Sequence, residues 1–254
     1  MQHYFVDKQF GENENFWLSD EIFDHLIKVL KSNIGECIEL VLPNQTILLS
    51  KIIDVDYDNK RVNFLGLKVI DFQVELPIKA RIICGIPKGE KINWIVQKAT
   101  ELGVSEVYFV NMERSISNWS KNYAKKIQRL QKIAQSAAEQ SHRLLIPKVS
   151  YCDSLIDVAK LQTDYKLIAY EETAKQGEHS KLAEIFHSII DNKNNQIITA
   201  VFGPEGGISS DEIKKLSDLG YISVSLGPRI LRTETAPLYF LSCLSYYLEL
   251  FKRK

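Results

Sequence analysis

The sequence lacks the short motifs that mark several common metal and nucleotide sites. Its four cysteines show no CxxC spacing, which argues against a zinc site and against a disulfide framework. Neither GxxxxGK[ST] nor GxGxxG occurs, so a P-loop and a dinucleotide-binding fingerprint are disfavoured. We expect no bound metal, since ligand spacing is also missing around His3, His25, His179 and His187.

Long apolar runs are missing as well, since no uninterrupted stretch reaches the length of a membrane span. The stretch MQHYFVDKQFGENENFW has no cationic start followed by an apolar core. We therefore expect neither a signal peptide nor a membrane protein. The scattered cysteines fit a reducing compartment, which favours a cytoplasmic location.

An excess of charge of one sign is absent too, because 32 Lys and Arg balance 32 Asp and Glu. Bulk electrostatics therefore neither demands nor excludes a nucleic-acid partner. Acidic side chains outnumber basic ones in residues 1–76, and the reverse holds in residues 77–254. We expect a polyanion, if one binds, to contact mainly the second part.

The composition is that of a globular protein, with 254 residues of which 45% are hydrophobic and 25% charged. Residues 1–72 are predicted to form a small β-rich domain. The runs TILLSKIIDV and RVNFLGLKVI are strand-like, and DYDNK between them favours a turn. The pattern changes around Pro77, so we place a second domain at residues 73–254.

Strands and helices alternate in the second domain. The strand candidates are KARIICGIP, SEVYFV, KLIAY, IITAVF and ISVSL. Helical periodicity appears over residues 90–102 and about 120–142. This alternation predicts an α/β fold, with a mostly parallel sheet and helices on both faces.

The stretch VFGPEGGISSDEIKKL, residues 201–216, leads from a strand through a glycine turn into a helix. Ser209 and Glu212 have the spacing of a capping box. Ligands of open α/β sheets bind at the carboxyl ends of strands, where this turn lies, so the glycines favour a cofactor pocket. The alternative is a tight turn whose glycines only satisfy positive φ, and this loop alone does not decide between the two.

A second loop, LGPRILRTETAPLYF at residues 226–240, shows neither helical nor strand periodicity. It then enters a helix with Pro237 in the first turn. In a purely structural interpretation Thr235 caps that helix and the arginines are solvated. In the functional interpretation, two ligand-shaped loops that leave neighbouring strands form the walls of one cleft.

The pair GPEGGIS..E and LGPRILRTETA closely resembles the signature of the RsmE-type family, bacterial methyltransferases of the SPOUT superfamily. These enzymes methylate N3 of a uridine in small-subunit (16S) ribosomal RNA. The resemblance covers nearly the whole chain, since HLIKVLK with GECIEL, KGEKINWIVQKATELGV, ERS and EQSHRLLIP also resemble family motifs in family order.

The resemblance implies a PUA-like β-barrel at residues 1–72 and a SPOUT domain at residues 73–254. In that domain a C-terminal trefoil knot would surround S-adenosylmethionine. It also implies a homodimer with the knot helices at the interface, which the nearly all-apolar last helix PLYFLSCLSYYLELF suits. Burial of that helix within its own domain is the alternative.

The resemblance implies that the glycine turn within residues 201–216 and the loop at residues 226–240 both contribute to the cofactor site. Glycine permits the close backbone approach that reading an adenine edge requires. The predicted cofactor residues are Tyr170, Gly203, Pro204, Glu205, Gly206, Gly207, Leu226, Gly227, Ile230, Leu231, Thr233, Thr235 and Ala236. An alternative role for Glu205 is to organise the loops.

Methylation of uridine N3 requires loss of a proton and stabilisation of negative charge on the uracil carbonyls. Arg232 and Glu234 are the leading catalytic candidates, followed by Arg114 in ERS and Arg143 in EQSHR. No general base is assigned. In the KGEK…QKATELG motif, folding and helix capping are the expected roles of Lys88, Lys91, Lys98 and Glu101, and RNA contact is the alternative.

Contacts to ribosomal RNA are expected from the helix KNYAKKIQRLQK, whose basic residues are Lys121, Lys125, Lys126, Arg129 and Lys132. A solvated helix face is the alternative. The first domain departs from the family, which usually has an arginine close to the initiator methionine, where this chain has MQHYFV.

Two other functions stay open. One is a SPOUT enzyme acting on another RNA site or atom, such as a ribose 2′-hydroxyl. The other is a non-catalytic RNA-binding factor, against which the intact RILRTETA argues.

Overall fold

The computed structural model describes residues 1–19, 21–119, 123–172, 180–191 and 196–251. The chain divides into two compact units. The first comprises Met1–Glu75 and Glu139–Leu145, and the second comprises Leu76–Ala138 and Ile146–Lys254. Sequence analysis assigned residues 139–145 to the second domain, whereas the structure places them in the first unit.

The first unit is built on a five-stranded sheet of order β1-β3-β4-β5-β2. Its strands are β1 (His3–Phe5), β2 (Asn15–Ser19), β3 (Cys37–Val41), β4 (Ile47–Asp56) and β5 (Arg61–Ile70). β1 pairs with β3 in parallel, and the other pairings are antiparallel. A short helix α1 (Glu21–Phe23) continues as a π-helical turn (Asp24–Val29).

Alternation along these strands gives the first unit its core. Leu48 and Ile52 of β4 and Phe64 of β5 are fully buried, while Lys51 between them is exposed. Leu26 of the π-helical turn packs into the same cluster. The strand-like runs predicted from the sequence thus form one mostly antiparallel sheet with an apolar face.

The second unit is built on a six-stranded sheet of order β11-β9-β10-β6-β7-β8, in which all pairings are parallel. The strands are β6 (Lys79–Gly85), β7 (Glu106–Val110), β8 (Lys148–Cys152), β9 (Tyr165–Ala169), β10 (Ile197–Phe202) and β11 (Ile222–Val224). The helices are α2 (Lys91–Glu101), α3 (Tyr123–Gln140), α4 (Leu155–Ala159), α5 (Lys181–Asp191), α6 (Ser210–Asp218) and α7 (Thr235–Ser245), and a π-helical turn (Tyr246–Leu250) follows α7.

Both faces of this sheet are covered, which explains why its central strands are apolar throughout rather than alternating. Ile82 of β6 faces the cluster that holds residues of α2 and α7, and the next residue, Ile83, faces the cluster that holds residues of α4 and α6. Ala200 and Val201 of β10 divide in the same way. The predicted α/β fold is confirmed.

The strand order places three loops at one edge of the sheet. β9 pairs with both β10 and β11 in parallel, so the chain leaves all three strands at the same edge. The loops after Ala169, Phe202 and Val224 therefore start side by side, as expected for a binding site at the carboxyl ends of parallel strands. None of the described helices has the length and apolarity needed to cross a membrane.

Candidate functional site

A cavity of about 700 Å³ lies at the carboxyl edge of the parallel sheet. Three segments line it: residues 169–172 after β9, residues 202–208 after β10, and loop residues from 226 to 236 after β11. Lys91 at the start of α2 and Arg114 after β7 complete the wall. A volume of this size accommodates a drug-sized or nucleoside-sized ligand.

Most of the predicted site residues line this one cavity. They are Arg114, Tyr170, Gly203, Pro204, Glu205, Gly206, Gly207, Leu226, Gly227, Ile230, Leu231, Arg232, Thr233 and Ala236. Glu234 and Thr235 belong to the same loop but do not line the cavity. Thr235 is the first residue of α7, which begins without a side-chain cap, and Pro237 lies in its first turn as predicted.

The two glycines at positions 203 and 206 are required by the protein's own packing. A Cβ at Gly203 would lie 2.9 Å from the Gly207 carbonyl carbon and 2.9 Å from Ile208 Cγ1. A Cβ at Gly206 would lie 2.9 Å from Arg114 Cβ and 3.0 Å from the Arg114 carbonyl oxygen. At these two positions glycine lets the loop fold on itself.

Gly207 and Gly227 are glycine for a different reason, since their φ values of +73° and +94° lie in the left-handed region. A Cβ would meet only distant atoms, with the nearest at 4.0 Å from Gly207 and 3.9 Å from Gly227. Positive φ therefore accounts for Gly207 and Gly227, and close packing within the protein accounts for Gly203 and Gly206.

The predicted capping box is confirmed, and its glutamate also makes a hydrogen bond to a neighbouring loop. The Ser209 N–H donates to Glu212 Oε2 at 2.9 Å, and the Glu212 N–H donates to Ser209 Oγ at 3.2 Å. Glu212 Oε1 also accepts from the Glu113 N–H at 2.8 Å. The start of α6 thereby fastens the loop that carries Arg114 next to the glycine turn.

Arg114, a catalytic candidate from the sequence, contacts the glycine turn directly. Its Nη1 donates to the Gly206 carbonyl at 3.2 Å. The guanidinium therefore holds a wall of the cavity in shape, and the observed contact supports a positioning role for this arginine.

Lys91 connects the two long loops. Its Nζ lies 2.8 Å from Glu205 Oε1 in the glycine turn and 3.4 Å from Glu234 Oε2 in the 226–236 loop. Glu205 Oε1 also accepts from the Lys88 N–H at 3.1 Å. Lys91 therefore joins the two loops, and its side chain lines the cavity, a position that the sequence did not predict.

Both members of the shorter ion pair are stabilised in their charged forms. The hydrogen bond to Glu205 raises the pKa of Lys91 above its ordinary value. Partial burial acts to raise the pKa of Glu205, but hydrogen bonds from Lys91 and from backbone N–H groups outweigh it and leave that pKa below its ordinary value. The bridge is therefore ionised throughout the neutral pH range.

Glu234 has a carboxylate oxygen that the described part of the chain leaves unsatisfied. Its Oε2 is buried, and the contact to Lys91 at 3.4 Å lacks hydrogen-bond geometry. A buried acceptor without a donor is costly, so a group that can donate to it is favoured at this position.

Sequence reasoning missed several residues of the cavity wall. Besides Lys91, they are Ala169, Glu171, Glu172, Phe202, Ile208, Pro228 and Arg229. Most of them flank predicted positions within the same loops, so extending each motif by one or two residues would have found them. Lys91 is separated from Glu205 by 114 residues, and no local pattern reveals that pair.

The structure does not bring Arg143 to this cavity. Arg143 belongs to the first unit and is buried, and its guanidinium pairs with the Glu75 carboxylate. Glu75 Oε1 also accepts from the Leu144 N–H at 2.9 Å and from the Leu145 N–H at 3.1 Å. These contacts tie residues 143–145 to the end of the first unit's main segment, and the catalytic role of Arg143 stays a prediction.

The basic residues of α3 that the structure describes are exposed. Lys126 Nζ lies 4.7 Å from the Trp119 ring centroid, and Arg129 donates to Asn93 Oδ1 at 2.8 Å. Lys121 falls outside the described residues. Exposure of this helix face agrees with a solvated surface and with an RNA-binding one.

Comparison with known proteins gives a consistent family. The family model for the RNA methyltransferase domain matches residues 74–245. Ribosomal RNA small subunit methyltransferase E of Bacillus subtilis is 36% identical over 258 residues, which cover 99% of this chain and 99% of that protein. The protein of the same name from Buchnera aphidicola is 29% identical and covers 94% of this chain and 91% of its own length.

The fold agrees with the sequence comparison. The crystal structure of a ribosomal RNA small subunit methyltransferase E from Neisseria gonorrhoeae, bound to S-adenosyl methionine, superposes with a TM-score of 0.83. The two sequences are 26% identical, and the superposition covers 99% of this chain and 100% of that one. This chain therefore belongs to the family of ribosomal RNA small subunit methyltransferase E.

Proposed function

We propose that this protein transfers the methyl group of S-adenosylmethionine to N3 of a uridine in 16S ribosomal RNA. The observation that carries the proposal is the single cavity formed by the loops after β9, β10 and β11. Those loops contain both motifs of the family to which the chain belongs, and the relative from Neisseria gonorrhoeae has S-adenosyl methionine bound.

The residues present fit this cofactor. The cavity has room for it, and its wall combines apolar side chains such as Leu226 and Ile208 with backbone made accessible by glycine. At Gly207 and Gly227 a Cβ would come no closer than 3.9 Å to another atom, so these glycines leave room beside the backbone. The unsatisfied Glu234 Oε2 adjoins the wall and accepts a donor, and Glu171 and Glu172 offer further carboxylates.

When bound, the cofactor would supply a methyl group on a positively charged sulfur, so that a nitrogen nucleophile can bond the methyl carbon while the methyl–sulfur bond breaks and a neutral thioether leaves. The chain's own contribution is to position the uracil and to manage its N3 proton and its developing charge. We assign stabilisation of negative charge on the uracil carbonyls to Arg232, whose side chain is exposed at the cavity wall. We assign acceptance of a hydrogen bond or proton to Glu234, because its Oε2 has an acceptor position available.

The finer architecture of the family is part of this proposal. We assign residues 1–72 to a PUA-like, RNA-binding barrel and residues 73–254 to a SPOUT domain with a trefoil knot at the 226–236 loop. The five-stranded sheet of the first unit and the family match that begins at residue 74 support these bounds. The cytoplasm, where ribosomal subunits are assembled, is the proposed location.

The proposal is tested by methyl transfer from labelled S-adenosylmethionine to small ribosomal subunits isolated from cells that lack this protein. Nucleoside analysis should identify 3-methyluridine, and fragment mapping should locate one position. A ribose-methylated nucleoside would contradict the target atom. Cofactor binding without any methylated RNA would contradict the substrate, and absence of cofactor binding would contradict enzymatic function altogether.

A further inference from the structure

Two histidines and a glutamate converge in the first unit, apart from the residues that form the methyltransferase cavity. They are His3 of β1, Glu39 of β3 and His142 of the 139–145 segment. Glu39 Oε2 lies 3.0 Å from His3 Nδ1 and 3.0 Å from His142 Nδ1. One donor atom from each of the three side chains lies within 4.8 Å of the others.

The other ring nitrogen of His3 fixes its proton. His3 Nε2 lies 2.8 Å from the carbonyl oxygen of Arg143, which can only accept, so Nε2 carries a hydrogen. In the neutral ring Nδ1 then carries a lone pair instead of a hydrogen, and this nitrogen lies 3.0 Å from Glu39 Oε2. Two electron-rich atoms at that distance require a positive charge on or between them.

This arrangement matches the one that proteins use to prepare a histidine for metal binding. A metal-ligating histidine usually donates its second N–H to a backbone carbonyl, which orients the ring and leaves the other nitrogen available. The His3 side chain is only 1% exposed, so the ring is held in place by packing as well as by that hydrogen bond.

We propose that His3, Glu39 and His142 form a binding site for one divalent transition-metal ion, for which zinc is the best chemical match. Two imidazole nitrogens and one carboxylate oxygen suit zinc, with a water in the fourth position. Tetrahedral bonds of about 2.0–2.2 Å separate ligand atoms by about 3.3–3.6 Å; the two observed contacts of 3.0 Å are a few tenths of an ångström shorter, and all three ligand atoms lie within 4.8 Å of one another. The His142 side chain is 47% exposed, so it can adjust its ring and leave the fourth position open to solvent.

The ion would cross-link three segments of the first unit. It would join β1, β3 and the 139–145 segment, whose ligands are separated by 36 residues between His3 and Glu39 and by 103 between Glu39 and His142. Because a preformed site of this kind is absent from the unfolded chain, metal binding stabilises the folded state by mass action. The absence of ligand spacing in the sequence agrees with this, since the three residues meet only in the folded sheet.

The test uses the untagged full-length protein after removal of metal with a chelator. Titration calorimetry with Zn²⁺ should give one site, and Co²⁺ should develop the visible absorption of a tetrahedral complex. Either ion should raise the melting temperature. His142→Asn is the first variant, since asparagine tolerates the left-handed backbone at this position, where φ is +55°, and it should weaken metal affinity at least tenfold.

Glu39→Gln removes the charged ligand while keeping a side chain of the same size, and it should have the same effect. His187→Asn is the matched control, because His187 lies on α5 and contacts the Tyr247 hydroxyl. It should bind metal as the unaltered chain does. The proposal is overturned if no stoichiometric site appears, or if all variants bind alike. It is overturned equally if ring ¹⁵N shifts show His3 doubly protonated whether or not zinc is added.

Discussion

At the scale of single residues, Lys91 is the position where one change should affect the whole cavity. Its ammonium bridges Glu205 of the glycine turn and Glu234 of the 226–236 loop. Lys91→Met keeps most of the side-chain volume and removes the charge, which leaves two carboxylates near each other without a counter-ion. We expect S-adenosylmethionine affinity, measured by calorimetry, to fall about tenfold.

Lys98→Met on the same helix is the control, because Lys98 pairs only locally with Glu101 in an i,i+3 contact. It should bind the cofactor as the unaltered chain does. Equal affinities of the Lys91 variant and the control would show that the bridge does not shape the cavity.

The same bridge sets an expected pH dependence. The pKa of Glu205 is lowered, so its stabilising charge is present above the ordinary carboxylate pKa and is lost as pH falls through the lowered value. The pKa of Lys91 is raised, so its contribution is complete below the ordinary ammonium pKa and is lost only as pH rises beyond it. Cofactor affinity should therefore be flat from about pH 6 to 9 and decrease in acid below about pH 4.

Calorimetry across this pH range, with circular dichroism to confirm folding at each point, measures the profile. In Lys91→Met the acid limb should shift toward higher pH, because Glu205 loses the hydrogen bond that lowers its pKa. An acid limb at the same pH in both proteins would assign the titration to another group.

Arg232 is the residue assigned to the reacting uracil. Arg232→Ala should leave folding and cofactor affinity largely intact, because the side chain is exposed. It should lower kcat by about 100-fold, the usual effect of removing one donor to a developing negative charge. Lys215→Ala on α6, also exposed, is the control for loss of a surface cation. Turnover unchanged by the arginine substitution would remove Arg232 from the mechanism.

At the scale of secondary-structure elements, local sequence predicts where helices and strands lie, but it does not predict how strands pair. Helical periodicity over residues 90–102 predicted a helix there, and α2 (Lys91–Glu101) confirms it, with Ile92, Ile95, Val96 and Ala99 on its buried face. Each of those positions depends on its own turn of helix and can be read locally. The parallel pairing of β1 with β3, in contrast, depends on residues far apart, and no pattern in either strand specifies it.

The residues of the candidate site show the same difference between local motifs and long-range contacts. Glycines, the capping box and the arginine loop are local motifs, so the sequence identified them and the structure places most of them in one cavity. Lys91 and the Arg143–Glu75 pair depend on contacts between distant segments, and both were assigned other roles from the sequence. The pairing partners of such residues lie far away along the chain, so sequence reasoning could not identify them.

The capping box of α6 is the element whose contribution can be measured alone. Ser209→Ala removes the acceptor for the Glu212 N–H and should lower the free energy of unfolding by about 1 kcal/mol. Urea denaturation measures this change. Ser210→Ala, at the next and exposed position, should change stability by less than about 0.5 kcal/mol. A loss of equal size in both variants would show that the cap bond contributes nothing particular.

At the scale of the whole molecule, the sequence allowed only part of the division into two units to be predicted. A change of pattern near Pro77 indicated where the first run of chain ends, and the first unit's main segment ends at Glu75. The return of residues 139–145 to the first unit was not predicted, because it depends on His3, Glu75 and Arg143 meeting across the fold. A threaded chain is likewise invisible to periodicity, so the proposal of a knot depends on family resemblance alone.

The C-terminal elements of the second unit carry an apolar surface that suits a second copy of the chain. Tyr246 is 57% exposed, Leu250 69% and Phe251 44%, although Phe240 and Leu244 of α7 are buried. A second cavity of about 400 Å³ lies beside them, between residues of α5 and α7. One face of these elements is therefore buried within the second unit, and we propose that the exposed face forms the homodimer interface.

The dimer is expected to matter for the cofactor, because Leu226 and Gly227 line both cavities. Tyr246→Lys together with Leu250→Lys places two charges on the exposed face and should yield a monomer in sedimentation equilibrium. Its S-adenosylmethionine affinity should fall at least several-fold, because the shared wall loses its support from the second copy. The same double lysine change at Ile34 and Tyr57, two exposed apolar residues of the first unit, is the control and should leave mass and affinity unchanged. A monomeric native protein would refute the interface, whereas a monomeric variant with full affinity would confine the dimer to a role outside cofactor binding.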